Sequence, residues 1–245
     1  SPMRVDAGSD AQLVGDEPVL LARRSDCPVA VDANRVRAAA MLADDGVDII
    51  IADDGLQHYR LGRDYEICVI DGARGLGNRR LLPAGPLREL PERLEDVDQL
   101  LVNGTMRPSN DLSVAELNAV EFELVATEAC RVNGSLTRPI DRFAGTTIHA
   151  VAGIGNPSRF FEQLRALNIQ VIEHSFADHA DLDLKELEFG DGFEVFMTEK
   201  DAVKLGRRSK DKFWYVPVEF QMDPVLALPL IEQIESRLRG WQGSQ

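Results

Sequence analysis

A short apolar run that ends in two aspartates constrains this chain more than any other segment. Residues 47–58 read VDIIIADDGLQH. The mostly β-branched run is typical of a strand that is buried on both faces of a parallel sheet. Asp53 and Asp54 follow at its carboxyl end, where ligands bind in open α/β sheets, and Gly55 permits a sharp turn. The segment therefore predicts an α/β fold with an acidic site at one edge of a sheet.

These two carboxylates allow two interpretations. A buried strand that ends in Asp is one way in which nucleotide-hydrolysing folds hold Mg²⁺ near phosphates. Asp53 and Asp54 can also simply cap a turn or the next helix. Gln57 and His58 add polar groups at the same rim, which favours a functional site.

Length and charge limit the class of protein. The 245 residues suffice for one large or two modest domains, and 44% apolar with 28% charged residues indicates a globular chain. The formal net charge is −14, which argues against nucleic acid as a partner because phosphate binding needs a basic face. Three cysteines indicate reduced thiols in a cytoplasmic setting. No apolar run reaches the length of a membrane span.

Strand and helix patterns alternate along the rest of the chain. Asp16 stands where a helix N-cap is expected, and residues 1–14 are predicted to form a loop. Asn133-Gly134 predicts the turn of a two-stranded ribbon within residues 121–138. Strands are predicted at 28–31, 47–51, 65–70, 97–103, 122–125, 130–132, 135–137, 146–152, 169–172, 195–198 and 214–218. Helices are predicted at 19–24, 36–42, 158–167 and 226–238, with a domain boundary near 107–111.

Several chemistries lack their motifs in this sequence. No Gly-x-Ser-x-Gly elbow supports a hydrolase of the α/β class, no Cys-x-x-Cys or His-x-x-x-His pair supports zinc, and no Gly-x-Gly-x-x-Gly supports a dinucleotide fold. The remaining polar groups are Asp16-Glu17, Asp53-Asp54, Asp71 and Asp178-His179. Carboxylates at strand ends together with a His suit Mg²⁺-assisted phosphoryl transfer. However, the phosphate-binding pattern Gly-x-x-x-x-Gly-Lys-[Ser/Thr] is absent from these residues.

Seven short motifs, taken in order, resemble those of the tetraacyldisaccharide 4′-kinase family, the lipid A 4′-kinases of Gram-negative bacteria. Each motif alone is weak, and the specificity comes from their order along the chain. They are Gly15–Pro18, Asp53–His58, Gly77-Asn78, Arg80–Glu89, Ala152–Pro157, Phe176–His179 and Thr198–Asp201.

This resemblance implies a fold and an activity. The fold is a P-loop NTPase-like parallel-sheet core over residues 1–118, then a β-ribbon and a smaller C-terminal α/β lobe over 119–245. The activity is transfer of the ATP γ-phosphoryl group to the 4′-hydroxyl of a tetraacyldisaccharide 1-phosphate, the lipid A precursor, with Mg²⁺. The family's membrane-anchoring helix and phosphate-binding loop would precede Ser1, and that helix would hold the full-length protein at the cytoplasmic face of the inner membrane.

The resemblance also implies residue roles. Asp53 and Asp54 resemble the Walker B carboxylates that position Mg²⁺. Asp16 is similar to the general base that takes the sugar hydroxyl proton, and His179 to its dyad partner. Supporting or substrate-binding roles are implied for Glu17, Arg35, Gln57, His58 and Arg88. From the residues alone, Asp16 is a plain cap and Arg88 a member of a surface ion pair.

Without a phosphate-binding loop, the chain by itself is expected to bind Mg²⁺-ATP weakly and to be inactive. Two other functions stay open: a non-catalytic sugar-lipid-binding or regulatory module derived from a kinase, and a Mg²⁺-dependent phosphohydrolase that uses Asp53 and Asp54. His149 and His174 are expected to be structural, and Thr198–Asp201 structural or interdomain.

Overall fold

The computed structural model of the chain describes residues 1–106, 118–177, 182, 184–205 and 211–242. These residues form two compact units: unit 1 comprises Ser1–Ile51 with Ala126–Val218, and unit 2 comprises Ala52–Val125 with Glu219–Gln245. The strands are β1 (Met3–Val5), β2 (Val29–Val31), β3 (Ile67–Asp71), β4 (Gln99–Asn103), β5 (Ala119–Val125), β6 (Glu128–Arg131), β7 (Thr137–Pro139), β8 (Thr147–Ala152), β9 (Gln170–Ser175), β10 (Glu194–Thr198), β11 (Phe213–Val216) and β12 (Glu219–Gln221). The α-helices are α1 (Ala11–Val14), α2 (Asp16–Arg24), α3 (Arg35–Asp44), α4 (Pro157–Ala166), α5 (Glu199–Leu205) and α6 (Pro224–Gln242).

Unit 1 is built on a six-stranded mixed sheet of order β7-β6-β11-β10-β8-β9. Strands β11, β10, β8 and β9 run parallel, and β6 and β7 continue the sheet as an antiparallel hairpin. The Asn133-Gly134 turn joins this hairpin, and Gly134 has the positive φ of 76° that the turn requires. The predicted hairpin is therefore confirmed.

Aromatic side chains fill the core beneath this sheet. Phe143 contacts Phe196 and Trp214 edge-on, with ring centroids 4.8 and 5.1 Å apart. The α4 side chains Phe161 and Leu164 are fully buried in the same cluster. The predicted helix at 158–167 is thus confirmed, with Pro157 in its first turn.

A smaller layer of unit 1 differs from the prediction. Strand β2, predicted at 28–31, pairs antiparallel with β1 in a separate two-stranded sheet. The predicted loop at 1–14 instead holds β1 and α1. Val19 of α2 is completely buried against Val5 and Val203, and this contact joins β1, α2 and α5.

Unit 2 contains a four-stranded sheet of order β12-β5-β4-β3, in which β3, β4 and β5 run parallel and β12 is antiparallel. Leu100 and Val102 of β4 are buried together with Ile70 and Leu76. The segment 122–125 was predicted to join the ribbon, and this was wrong: it lies in β5, where Phe122 stacks on Phe220 with centroids 4.6 Å apart. Mixed and parallel sheets with helices confirm the predicted α/β class.

The run at 47–51 does not form the predicted strand. Ile49, Ile50 and Ile51 are 56%, 40% and 91% exposed, and none of the described strands pairs with this segment. A β-branched run becomes a strand only where neighbouring backbone and side chains pair with it, because strand preference depends on context. The prediction of a buried strand was therefore wrong here, although the turn that follows it is formed.

The predicted division of the chain at residues 118 and 119 stays a prediction. Each compact unit draws on both sides of it, and residues 107–117 lie outside the described residues. None of the helices within the described ranges combines the length and the apolarity that a membrane crossing requires.

Candidate active site

Asp16 lies at the amino end of α2 and is 7% exposed. The N-cap is Gly15 with a φ of 94°, so the prediction of Asp16 as the cap was wrong by one position. A Cβ atom at residue 15 would lie 3.2 Å from Cδ of Pro18, and the positive backbone φ at this position would be unfavourable for any residue other than glycine. Asp16 Oδ1 accepts a 3.1 Å hydrogen bond from the Glu17 N–H. The local sequence therefore places a carboxylate at the amino end of a helix, where the backbone N–H groups point outward.

Helix α5 places a cation beside this carboxylate. Lys204 Nζ lies 3.6 Å from Asp16 Oδ2 and 3.3 Å from Asp201 Oδ1. Asp201 is completely buried, and its Oδ2 accepts hydrogen bonds from the Thr198 hydroxyl at 2.6 Å and from the Gly153 N–H at 3.0 Å. Such partners offset the cost of burying a charged carboxylate. Asp201 and Lys204 therefore connect Thr198 and Gly153 to Asp16 in one polar cluster.

Two further ion pairs join α2 to α5. Lys200 Nζ lies 2.9 Å from Glu17 Oε1, and Arg24 Nε lies 3.3 Å from Glu199 Oε2. Burial raises the pKa of Glu199. The Thr198–Asp201 segment thus contacts α2 inside unit 1. Lys204 was missed by the sequence reasoning, and the available signal was its spacing of three residues from Asp201 on a helix.

Arg35 is the first residue of α3 in unit 1 and is half-buried. The helix begins there because the Asn34 side chain accepts a hydrogen bond from the Val36 N–H at 3.1 Å.

In unit 2, Asp53 and Asp54 lie in an exposed turn. Asp54 has a φ of 49°, a left-handed conformation that Asp tolerates better than most residues. A Cβ atom at Gly55 would lie 3.1 Å from the Ala52 carbonyl oxygen, and the Gly55 carbonyl accepts the His58 N–H at 2.9 Å. The turn therefore presents two adjacent carboxylates to solvent.

The donor set of this turn fits a hydrated Mg²⁺ ion. Mg²⁺ is commonly held by one or two carboxylates together with waters and substrate phosphates. Within the described part of the chain, no group of three or more His, Cys, Asp or Glu side chains is arranged to hold a metal ion. In the arrangement common for Mg²⁺, Asp53 and Asp54 would hold the ion as a pair, with the other positions left to water and phosphate oxygens.

Gln57 connects this turn to the end of the Arg80–Glu89 motif. Its Nε2 donates to Glu89 Oε1 at 2.6 Å, and the Tyr59 hydroxyl donates to Glu89 Oε2 at 2.7 Å. These two hydrogen bonds lower the pKa of Glu89, and the nearby Arg93 acts in the same direction. Two of the family motifs therefore meet through one carboxylate.

The loop at 77–89 has a defined conformation without regular helix or strand. The Leu82 N–H donates to the Leu87 carbonyl at 2.9 Å, and the Asn78 side chain donates to the Ala84 carbonyl at 2.8 Å. A Cβ atom at Gly85 would overlap the Asn78 side chain. Arg88 is exposed and has no ion-pair partner among the described residues, which does not support its interpretation as an ion-pair member.

A separate imidazole cluster lies in unit 1. His149 Nδ1 is 2.9 Å from His174 Nε2, and His149 Nε2 is 2.8 Å from Asp191 Oδ2. Phe189 stacks on both rings, with centroid distances of 3.9 and 4.1 Å. These contacts give both histidines packing partners, in line with the structural role expected from the sequence.

Acidification is expected to destabilise unit 1 through His174. Burial and the neighbouring His149 ring lower the pKa of His174, so the unfolded chain binds this proton at a higher pH than the folded chain. Stability is therefore lost as the pH falls through about 6.5, the ordinary histidine value. A His174→Gln variant should show a smaller drop in Tm than the parent between about pH 7.5 and pH 5.5. Equal drops in both proteins would contradict this account.

The structure brings together some of the predicted site residues. Asp16 and Glu17 share the amino end of α2 in unit 1, and Asp53, Asp54 and Gln57 share one turn region in unit 2 with half-buried His58. His179 lies outside the described residues.

Comparisons with known proteins give a consistent family. A family model described as tetraacyldisaccharide-1-P 4′-kinase matches residues 1–236. The tetraacyldisaccharide 4′-kinase of Pseudomonas fluorescens strain SBW25 is 47% identical over 225 residues, which cover 91% of this chain and 65% of that protein. The one from Pseudomonas putida strain F1 is 44% identical over 240 residues, with 97% and 70% covered. The chain thus spans about two thirds of the length of these curated relatives.

A solved structure shows the same fold. A crystal structure described as the apo form of LpxK from Aquifex aeolicus in complex with ATP aligns with a TM-score of 0.71. The alignment covers 96% of this chain and 74% of that chain, at 24% sequence identity. The likeness supports the α/β fold class expected from the sequence.

Proposed function

Because this chain belongs to the tetraacyldisaccharide-1-P 4′-kinase family, we propose that it carries out 4′-phosphorylation of a tetraacyldisaccharide 1-phosphate, the lipid A precursor, with ATP as donor. The observation that carries this proposal is the family match over residues 1–236, with relatives 44–47% identical. The structurally similar LpxK from Aquifex aeolicus was crystallised in complex with ATP, which supports the choice of donor. We also propose, from the family resemblance, that the protein works at the cytoplasmic face of the inner membrane.

Asp16 is proposed as the general base. Its carboxylate takes the proton of the 4′-hydroxyl, whose oxygen bonds to the γ-phosphorus while the bond from that phosphorus to the β,γ-bridging oxygen breaks and ADP leaves. The carboxylate lies at the amino end of α2, and the Lys204 ammonium is 3.6 Å from its Oδ2. His179 is proposed, on the family resemblance, as the group that orients this base.

Asp53 and Asp54 are proposed to hold Mg²⁺, which would neutralise charge on the transferring phosphates. Their exposure and adjacency in one turn support this role. Glu17, Arg35, Gln57, His58 and Arg88 are proposed as supporting or substrate-binding residues. The exposed Arg88 guanidinium suits a phosphate contact.

The decisive experiment compares two proteins. One is the 245-residue chain, which contains no Gly-x-x-x-x-Gly-Lys-[Ser/Thr] segment. The other, the extended chain, is this sequence preceded by the residues that come before the matched region in the Pseudomonas fluorescens relative. Transfer of ³²P from ATP to tetraacyldisaccharide 1-phosphate is expected only with the extended chain, because backbone amides that cradle phosphates are needed for tight ATP binding.

Two results would contradict the proposed activity, and a third would contradict the expected inactivity of the 245-residue chain. Sugar-lipid binding by the extended chain without turnover would favour a non-catalytic binding module. Phosphate release without an acceptor sugar would favour a phosphohydrolase that uses Asp53 and Asp54. Turnover by the 245-residue chain alone would show that the phosphate-binding pattern is dispensable.

A further inference from the structure

Lys204, a largely buried lysine of helix α5, lies next to the proposed base Asp16. The family resemblance assigned no role to this lysine. We propose that Lys204 is a positioning residue, whose ammonium group holds the Asp16 carboxylate in a fixed orientation for proton transfer. This inference rests on the proposed function of Asp16 as the base. It is carried by the contacts of Lys204 with Asp16 and Asp201 within unit 1.

Burial makes this ion pair different from those on the surface. The side chains of Lys204 and Asp16 are 10% and 9% exposed. A charge at this depth is screened far less by water and salt than an exposed one, so its effect on a neighbouring carboxylate is larger. At 3.6 Å the ammonium acts on Asp16 Oδ2 mainly through charge, while the Glu17 N–H binds Oδ1.

Lys204 itself is held in place by Asp201. This completely buried carboxylate accepts hydrogen bonds from the Thr198 hydroxyl and the Gly153 N–H, and its Oδ1 lies 3.3 Å from Lys204 Nζ. A Cβ atom at residue 153 would lie only 3.0 Å from Asp201 Oδ1. The ends of β8 and β10 are therefore connected through Asp201 and Lys204 to the amino end of α2.

The neighbouring lysine serves as a contrast. Lys200 pairs with Glu17, and the two side chains are 15% and 50% exposed, so water screens this pair more than it screens the buried Lys204 pair. The charged groups that face Asp16 from α5 are Lys204 and, behind it, Asp201. Lys204 combines low exposure with contacts to both carboxylates.

The test measures kcat and KM for ATP in the extended chain with Lys204→Met, Lys204→Arg and Arg165→Met. Loss of the positioning cation is expected to reduce kcat about tenfold to a hundredfold, since misplacement of a reacting group costs up to about that factor. KM for ATP should stay within about twofold of the parent because the proposed role of Lys204 is to position the base and not to bind the nucleotide. Lys204→Arg should restore most of kcat. Arg165→Met removes the cation of an exposed pair with Glu173 in the same unit and should leave kcat unchanged.

Each outcome decides the proposal. Unchanged kcat in Lys204→Met, or a raised KM with unchanged kcat, overturns it, as does failure of Lys204→Arg to recover activity. If circular dichroism shows that Lys204→Met is unfolded, Lys204→Gln is measured by the same criteria, and failure of both to fold assigns the lysine to stability and rejects the positioning role. Full turnover by Asp16→Asn would instead reject the proposed base, whatever the Lys204 variants do.

Discussion

An Asp16→Asn variant of the extended chain is expected to lose about a hundredfold to ten-thousandfold in kcat for 4′-phosphorylation, the usual contribution of a general base. The amide cannot accept the hydroxyl proton, while its size and its place at the amino end of α2 are retained. KM for ATP should change little, because the base contacts the acceptor and not the donor. Steady-state kinetics with tetraacyldisaccharide 1-phosphate measure both quantities.

Asp10→Asn is the matched control. Asp10 is the N-cap of α1 and accepts a 2.9 Å hydrogen bond from the Gln12 N–H, in an exposed position. Asn caps helices about as well as Asp, so this variant should keep both turnover and Tm. Asp16→Asn with more than a tenth of the parental kcat would exclude a role as the base, and a large loss in Asp10→Asn would mean that the assay responds to folding.

The largest effect on stability is expected from Asp201→Ala. This change removes the acceptor of the Thr198 hydroxyl and Gly153 N–H and one carboxylate partner of Lys204. Breaking a buried pair of this kind costs about 3–5 kcal/mol, because the remaining partners lose their compensation. Urea unfolding followed by the fluorescence of Trp214, which is completely buried in unit 1, measures the free energy of unfolding.

Two further variants test whether the loss of stability in Asp201→Ala comes from the buried hydrogen bonds and ion pair of Asp201. Asp201→Asn keeps an oxygen acceptor and should lose less stability than Asp201→Ala. Asp211→Ala removes a carboxylate that is 79% exposed and pairs with Arg131, and it should change the unfolding midpoint little. A similar midpoint for Asp201→Ala and the parent would show that the cluster between α2 and α5 does not hold these elements together.

Helices and one hairpin could be predicted from neighbouring residues. Gly15, Pro18 and the arginines at 23–24 are local signals for the start and end of α2, which spans Asp16–Arg24. Asn133-Gly134 selected the β6–β7 turn. The hydrogen bonds of a helix or a tight turn join residues close in the chain, so the signal and the structure occupy the same short segment.

Strand partners could not be predicted in the same way. The run at 47–51 and the segment at 122–125 have similar apolar patterns, yet the first is exposed and the second lies beside β4. The hydrogen bonds of a strand go to a distant segment, and the pattern of one strand does not identify that segment.

Some residues of the candidate site could likewise be identified from the sequence, and others only from the structure. The sequence by itself determined the family motifs and hence the carboxylates at 16, 53 and 54, together with the amino end of α2 that carries the first of them. Only the tertiary structure decided that Lys204 lies beside Asp16 and is held there by Asp201, because residues nearly two hundred positions apart meet through helix packing. The physical reason is range: caps and turns act over a few residues, whereas burial and charge pairing depend on which surfaces the fold brings into contact.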